Sequence, residues 1–69
     1  MIKLNVYTVV TRFYNKSGLL AGESVKMHSI KSAHAWAHDA SLSRNVYDVN
    51  IINSDGEVIA LYHRGRCIA

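Results

Sequence analysis

The amino-acid sequence predicts a single α+β domain with the element order ββαββ, in which one helix packs on one face of a four-stranded antiparallel sheet. Three observations lead to this prediction. Runs rich in β-branched and aromatic residues lie in both halves of the chain, as in strands. Between them, apolar residues recur at helical spacing over residues 30–42. An Asp55-Gly56 pair separates two alternating runs, which indicates a hairpin.

The first half of the chain has the pattern of a hairpin. Residues 3–14 form the first predicted strand, and both of its faces carry apolar side chains, as in a central strand. A polar turn follows, in which Gly18 can take the positive φ that turns often need. Residues 19–28 form the second predicted strand, in which apolar and polar residues alternate and Gly22 suggests a bulge. The two strands are expected to pair with each other.

The period then changes to that of a helix over residues 30–42. Ser29 is a suitable N-cap because its hydroxyl can accept a hydrogen bond from a free N–H of the first turn. The small residues of the apolar stripe allow close packing on a sheet, and Trp36 is its one large side chain. The stripe consists of Ile30, Ala33, Trp36, Ala37 and Ala40.

The second half of the chain predicts another hairpin. Residues 45–53 and 57–63 form the third and fourth strands on either side of the Asp-Gly turn. Residues 64–69, which include Arg64 and Arg66, are expected to form a short, frayed basic tail. The whole chain of residues 1–69 is therefore expected to form one domain.

Composition limits the classes of protein to which the chain can belong. Its 69 residues are 49% apolar, which fits a folded domain and argues against disorder. The N-terminal residues lack the pattern of a signal peptide, and no apolar run reaches the length of a membrane span. The single cysteine, Cys67, suits a reducing compartment, so we expect a cytoplasmic protein. The net charge of +3 permits binding to nucleic acid or to an acidic protein.

One helix can cover only one face of the predicted sheet. In the third strand, Tyr47, Val49 and Ile51 are expected to face the helix. Val46 and Ile52 then face away from it. The resulting patch is the expected partner-binding surface, because large apolar patches on small proteins mark interaction sites. The alternative is that the C-terminal tail or the curvature of the strands covers part of it. Its expected members are the apolar residues Val46, Ile52, Ile59 and Leu61 and the basic residues Lys26, Arg64 and Arg66.

The sequence contains no constellation typical of catalysis. His34 and His38 have the spacing of two metal ligands on a helix, but Ala35 stands where a zinc protease has its glutamate. The pair is a weak metal candidate only, because two polar residues at the edge of a helix explain it as well. Cys67 could act as a nucleophile with His63 as its base. Both residues lie near the end of the chain, however, where positioning for catalysis is poor. We therefore expect a protein that is not an enzyme and needs no cofactor.

Binding to nucleic acid is the alternative function. Single-strand binders place aromatic side chains and basic residues on a sheet, and all four tyrosines lie on predicted strands. No motif of a known RNA- or DNA-binding module is present. The residues concerned are Tyr7, Tyr14, Tyr47, Tyr62, Lys3, Arg12, Lys16, Lys26, Arg64 and Arg66.

The function that the sequence favours is binding to a larger protein. In size and organisation the chain is similar to the small accessory proteins that phages make to inhibit host enzymes or defence complexes, a similarity that rests on no motif. It implies a modulator that acts by steric occlusion through the exposed face of its sheet. A homodimer formed through the same face is a separate expectation.

Overall fold

The computed structural model describes residues 5–68 of the chain. Its elements are five strands and one helix: β1 (Tyr7–Tyr14), β2 (Leu20–Met27), α1 (Ile30–Ser41), β3 (Val46–Ile52), β4 (Val58–His63) and β5 (Arg66–Cys67). The predicted ββαββ order and the α+β class are confirmed. The start of the predicted first strand, at Lys3 and Leu4, lies outside the described residues.

The sheet has the order β2-β1-β3-β4-β5, and every neighbouring pair is antiparallel. The connection from β2 through α1 to β3 passes over β1, which places the helix across the two central strands. β5 was not predicted, because residues 64–69 were expected to be frayed. Arg64 and Gly65 have φ angles of 50° and 80°, which make a two-residue turn that returns the chain along β4.

The core lies between α1 and one face of the sheet. Val9, Val49 and Ile51 are fully buried there against Ala33 and Ala37 of the helix. The two alanines let the helix approach the sheet closely, while Trp36 packs at the margin. Complete burial of one branched aliphatic side chain contributes about 1.5–3 kcal/mol, so these few residues supply most of the stability of so small a domain.

Both ends of α1 are fixed by side-chain hydrogen bonds. Ser29 is the N-cap, as predicted, and its Oγ accepts a hydrogen bond from the N–H of Ser32 at 3.2 Å. At the other end, the buried Ser41 Oγ donates to the carbonyl of His38 and accepts from the N–H of Gly65, each at 2.8 Å. Gly65 has a φ of 80°, which favours glycine, and a Cβ there would also displace the flexible end of the Leu42 side chain, whose Cδ2 lies 2.6 Å away.

Two β-bulges set which side chains face the helix. Arg12 pairs with Asp48, whereas the next residue, Phe13, pairs with Val46, so Tyr47 is an extra residue in β3. The expectation that Val46 faces away from the helix is therefore wrong: beyond the bulge it joins the core and is only 8% exposed. Tyr47, expected on the helix side, is exposed instead.

The second bulge lies in β4. Ile51 pairs with Ala60 and Ile52 with Val58, which makes Ile59 the extra residue. By contrast, β2 pairs with β1 without interruption through Gly22, so the bulge suggested there by the sequence is absent. Within residues 5–68, no helix combines the length and the apolar character needed to cross a bilayer.

Candidate protein-binding face

We call the side of the sheet that points away from α1 the open face. On β1 it carries Thr8, Val10, Arg12 and Tyr14, because Tyr7, Val9, Thr11 and Phe13 point toward the helix side. Residues paired across strands share a face, so the ladders extend the open face over the whole sheet. Its other members are Leu20, Gly22, Ser24, Lys26, Tyr47, Asp48, Asn50, Ile52, Val58, Ile59, Leu61, His63 and Arg66.

One end of the open face is aliphatic. Ile52 lies opposite Val58, and Leu61 lies opposite Asn50. The β4 bulge puts the consecutive residues Val58 and Ile59 on this face, where they are 57% and 37% exposed. We call Val10, Ile52, Val58, Ile59 and Leu61 the aliphatic row.

The centre of the open face holds a buried carboxylate. Asp48 is 5% exposed, although the helix lies on the other side of the sheet. Its oxygens accept hydrogen bonds from Nε of Arg12, at 2.6 Å, and from Nη2 of Arg12. The pKa of Arg12 is raised chiefly by this hydrogen bond, and the charge of Asp48 adds to the effect. The side chain of Arg12 itself is 43% exposed, so the pair presents a guanidinium held in one orientation.

Aromatic rings surround this guanidinium. The Tyr47 ring centroid lies 5.2 Å from Cζ of Arg12, a cation–π distance. Tyr14 and His63 contact Tyr47 edge to face, with centroid distances of 6.2 and 5.7 Å. We call Tyr14, Tyr47 and His63 the aromatic cluster. The bulge at Tyr47 makes it possible, because regular alternation would have turned this ring toward the helix.

His63 also stabilises the bulge. Its Nδ1 donates a hydrogen bond to the carbonyl of Tyr47 at 2.7 Å. The extra residue of a bulge lacks a ladder partner, and the histidine supplies one. In the neutral imidazole this bond fixes the proton on Nδ1 and leaves Nε2 as an acceptor.

The charge on the open face is uneven. Lys26 lies on the edge strand β2, and Arg66 lies at the opposite edge on β5. Asp48 is the single carboxylate among the strand residues described for this face, and Arg12 neutralises it. Glu23 lies on the other side, because it pairs with the buried Thr11. The exposed charge of the open face is therefore positive.

The predicted partner-binding residues are only partly brought together. Ile52, Ile59 and Leu61 lie in the aliphatic row, while Val46 is in the core. Lys26 and Arg66 mark the two sheet edges, and Arg64 lies in the β4–β5 turn. The binding role of the residues on the open face and at its margin stays a prediction.

His34 and His38 of α1 contact Tyr62, which lies on the helix side of β4. His34 Nδ1 lies 2.7 Å from the hydroxyl of Tyr62, and the His38 ring is 6.4 Å from the Tyr62 ring. In the part of the chain that the structure describes, no group of three or more potential ligands gathers at one metal position. His34 is therefore a hydrogen-bond partner of β4 in this fold.

Sequence reasoning missed the Arg12–Asp48 pair. The sequence alone suggests a role for Arg12 only as a candidate nucleic-acid-binding residue, and it assigns no role to Asp48. Arg12 and Asp48 are 36 positions apart in the sequence, and they meet only because β1 lies beside β3 in the sheet. An aspartate inside an otherwise apolar strand is the signal that could have prompted a search for a cationic partner.

Comparison of the chain with protein-family models, with curated proteins and with solved structures returns no match.

Proposed function

We propose that this domain is a non-enzymatic binding module that engages a larger protein through its open face. The observation that supports the proposal is the exposure of large aromatic and aliphatic side chains on the side of the sheet that α1 leaves uncovered. Five of them, Tyr14, Leu20, Tyr47, Val58 and Ile59, are each between 37% and 57% exposed. Clustered exposure of this kind on a small domain is typical of interaction surfaces.

The composition of the face also supports a protein partner. Tyrosine and arginine are enriched among the residues that dominate binding energy in protein interfaces. Here Arg12 and Tyr47 lie near the middle of the face, and the aliphatic row lies beside them. A partner would desolvate the apolar side chains around an arginine that is already oriented, which lowers the entropic cost of binding.

The proposed partner carries an acidic surface. Lys26 and Arg66 lie on the open face at the two edges of the sheet, Arg64 lies in the β4–β5 turn, and the chain has a net charge of +3. Complementary charge at an interface rim accelerates association and selects among partners more than it adds affinity. The sequence contains a single cysteine, which suits a reducing compartment, so we propose that the partner is cytoplasmic.

The proposed mechanism is steric occlusion. The open face is a continuous antiparallel sheet, and no cavity is found among residues 5–68. A surface of this shape can cover a region of another protein and keep substrates or other partners away from it. The domain would then act as an inhibitor or modulator of the protein it covers, in the manner of the small phage proteins that it is similar to in size and organisation.

Single-stranded nucleic acid is the second candidate ligand. The observation in its favour is the aromatic cluster, because bases stack on aromatic side chains displayed by sheets. Two features weigh against it. The rings of Tyr14 and His63 already pack edge to face on Tyr47, and the charge of Arg12 is compensated by Asp48.

The proposal is tested by capture from an extract of the native source with the tagged protein and two variants. Ile59→Asp places a charge in the aliphatic row, and we expect it to lose a stoichiometric protein partner that survives nuclease and moderate salt. Ile30→Asp is the matched control, since Ile30 is 44% exposed in the first turn of α1, where an acidic residue suits the helix dipole. Circular dichroism checks that both variants remain folded.

Three results would reject the proposal. Equal capture by both variants would remove the open face from the interaction. Loss of binding on nuclease treatment, or an affinity that falls steeply with log salt, would favour nucleic acid. Wild-type protein that forms a homodimer, with Ile59→Asp monomeric and no other protein captured, would make the open face a contact between two copies.

A further inference from the structure

We propose that the open face contains a recognition slot for one acidic side chain of the partner, formed by Arg12 and the side-chain-free position at Gly22. This inference rests on the proposed protein-binding function and names the contact that would anchor it. The ligand chemistry is a carboxylate flanked by apolar groups.

Gly22 is the first observation, because nothing in the fold requires a glycine there. It lies within β2, and its φ is not among the positive values found at Gly18, Gly56 and Gly65. A Cβ at this position would meet only the carbonyl oxygen of Thr11, at an ordinary 3.8 Å. Glycine inside a strand is destabilising relative to alanine, and it often marks a site of close approach by another molecule.

The residues around Gly22 determine which chemical group could bind above it. Gly22 pairs directly with Arg12, so the open face has no side chain on β2 beside the arginine. Leu20 and Ser24 are the next residues on the same face of this strand, and Leu20 is 47% exposed. The slot is therefore a shallow gap over the backbone of β2, with Leu20 as the next side chain on the same face and Arg12 as the cross-strand neighbour.

Arg12 is the second and independent observation. Asp48 engages Nε and Nη2 from the β3 side, and its own side chain is only 6% exposed. A guanidinium has five N–H donors, so three remain that make no hydrogen bond to the described residues. Tyr47 restrains the group further. An arginine held in this way can accept a second carboxylate without first losing its own freedom of motion.

The same geometry favours a single protein carboxylate over a phosphate backbone. Arg12 and Asp48 together are neutral, so the pair adds little to the counterion release that drives nucleic-acid binding. The unpaired cations Lys26 and Arg66 lie on opposite edges of the sheet and do not form a track beside the slot. Charge-assisted hydrogen bonds next to the apolar Leu20 and Val10 instead fit an aspartate or glutamate with apolar neighbours.

The test uses two capped peptides, leucine-glutamate-leucine and leucine-glutamine-leucine, and follows Arg12 Nε–H by ¹H–¹⁵N NMR on the full chain. We expect the glutamate peptide to shift this resonance saturably and to bind about tenfold more tightly than the glutamine peptide. Gly22→Val should abolish the preference, because its side chain fills the slot. Glu23→Val, at the next residue of β2 but on the other face of the sheet, is the control and should keep it.

A second variant guards against misfolding of the first. Arg12→Lys retains the charge and loses the forked donor geometry, so the glutamate peptide should bind it no more tightly than the glutamine peptide does. An unchanged backbone spectrum in either variant shows that the fold is intact.

The outcomes separate this inference from the proposed function. Shifts in the aliphatic row without a response at Arg12, or a glutamate preference that survives Gly22→Val, would overturn the slot and leave the protein-binding face standing. The absence of any shift on the open face with both peptides would count against both proposals. A stronger, salt-sensitive shift of Arg12 with oligothymidylate than with the glutamate peptide would assign the slot to phosphate.

Discussion

Both faces of the sheet carry large apolar strand residues, but they differ in what covers those residues. On the helix side, Val9, Val49 and Ile51 are sealed by the alanines of α1, and all five residues have no exposed surface. On the open face, Ile52, Val58 and Leu61 have no covering element among residues 5–68, and a hydrogen-bonded ion pair occupies the centre. The comparison shows that apolar side chains lie on both faces, and that those beneath the single helix form the core.

The neighbouring residues Ile51 and Ile52 give the largest expected contrast. Ile51→Ala should destabilise the domain by about 2–5 kcal/mol, because it opens a cavity beneath the helix. That loss is comparable to the roughly 3–5 kcal/mol that a core of this size supplies, so the variant should be largely unfolded. Ile52→Ala on the open face should cost about 1 kcal/mol or less, since its surface is already partly in water. Urea unfolding followed by circular dichroism measures both.

Ile51→Val gives a usable value if the alanine variant does not fold, with an expected loss of about 1 kcal/mol. Equal effects of the alanine substitutions at Ile51 and Ile52 would mean that the open face is covered in solution. A concentration-dependent unfolding midpoint would then point to a second copy as the cover.

The order of the elements could be predicted because it depends on local chemistry. The Asp55-Gly56 turn and the Ser29 cap each act within a few residues, and both lie where the sequence placed them. The helix ends at Ser41, one residue before the predicted end, with Leu42 as its C-cap.

The distribution of side chains between the faces could not be predicted in full, because it depends on strand register. The bulge at Tyr47 reverses the expected faces of Val46 and Tyr47, and it exists only where β3 pairs with β1. No local rule gives that neighbourhood. The candidate site was affected most, since Arg12, Tyr47 and Asp48 meet only in the folded sheet.

Asp48, at the centre of the open face, should contribute more to stability than an exposed carboxylate does. We expect this difference to be smaller than the one between Ile51 and Ile52. Asp48→Asn should lower the free energy of unfolding by about 1–3 kcal/mol, because one charge-assisted bond to Arg12 is lost at a buried position. Asp39→Asn is the control, since the Asp39 side chain is 83% exposed, and its effect should stay within about 0.5 kcal/mol. A loss for Asp48→Asn as small as that of the control would show that the pair contributes no more than a surface ion pair.

The smallest expected effect concerns Tyr62, on the helix side of β4. Burial raises the pKa of Tyr62 above its ordinary value, and the cross-strand neighbour Cys67 adds to the rise. Below about pH 9 the phenol is protonated in both the folded and the unfolded chain. As pH rises through the ordinary tyrosine pKa of about 10, the unfolded chain releases this proton while the folded chain retains it, so the free energy of unfolding falls.

Tyr62→Phe should remove this part of the alkaline loss. The difference in unfolding free energy between wild type and Tyr62→Phe, measured from pH 8 to 11, should therefore narrow as pH rises. At pH 8 wild type should be the more stable of the two, because the Tyr62 hydroxyl bonds His34. Cys67→Ala should keep most of the alkaline slope, since burial is the larger cause of the raised pKa. A wild-type advantage that does not change with pH would mean that Tyr62 is as accessible to water as the side chains of the open face, and that the helix does not seal the β4 end of the sheet.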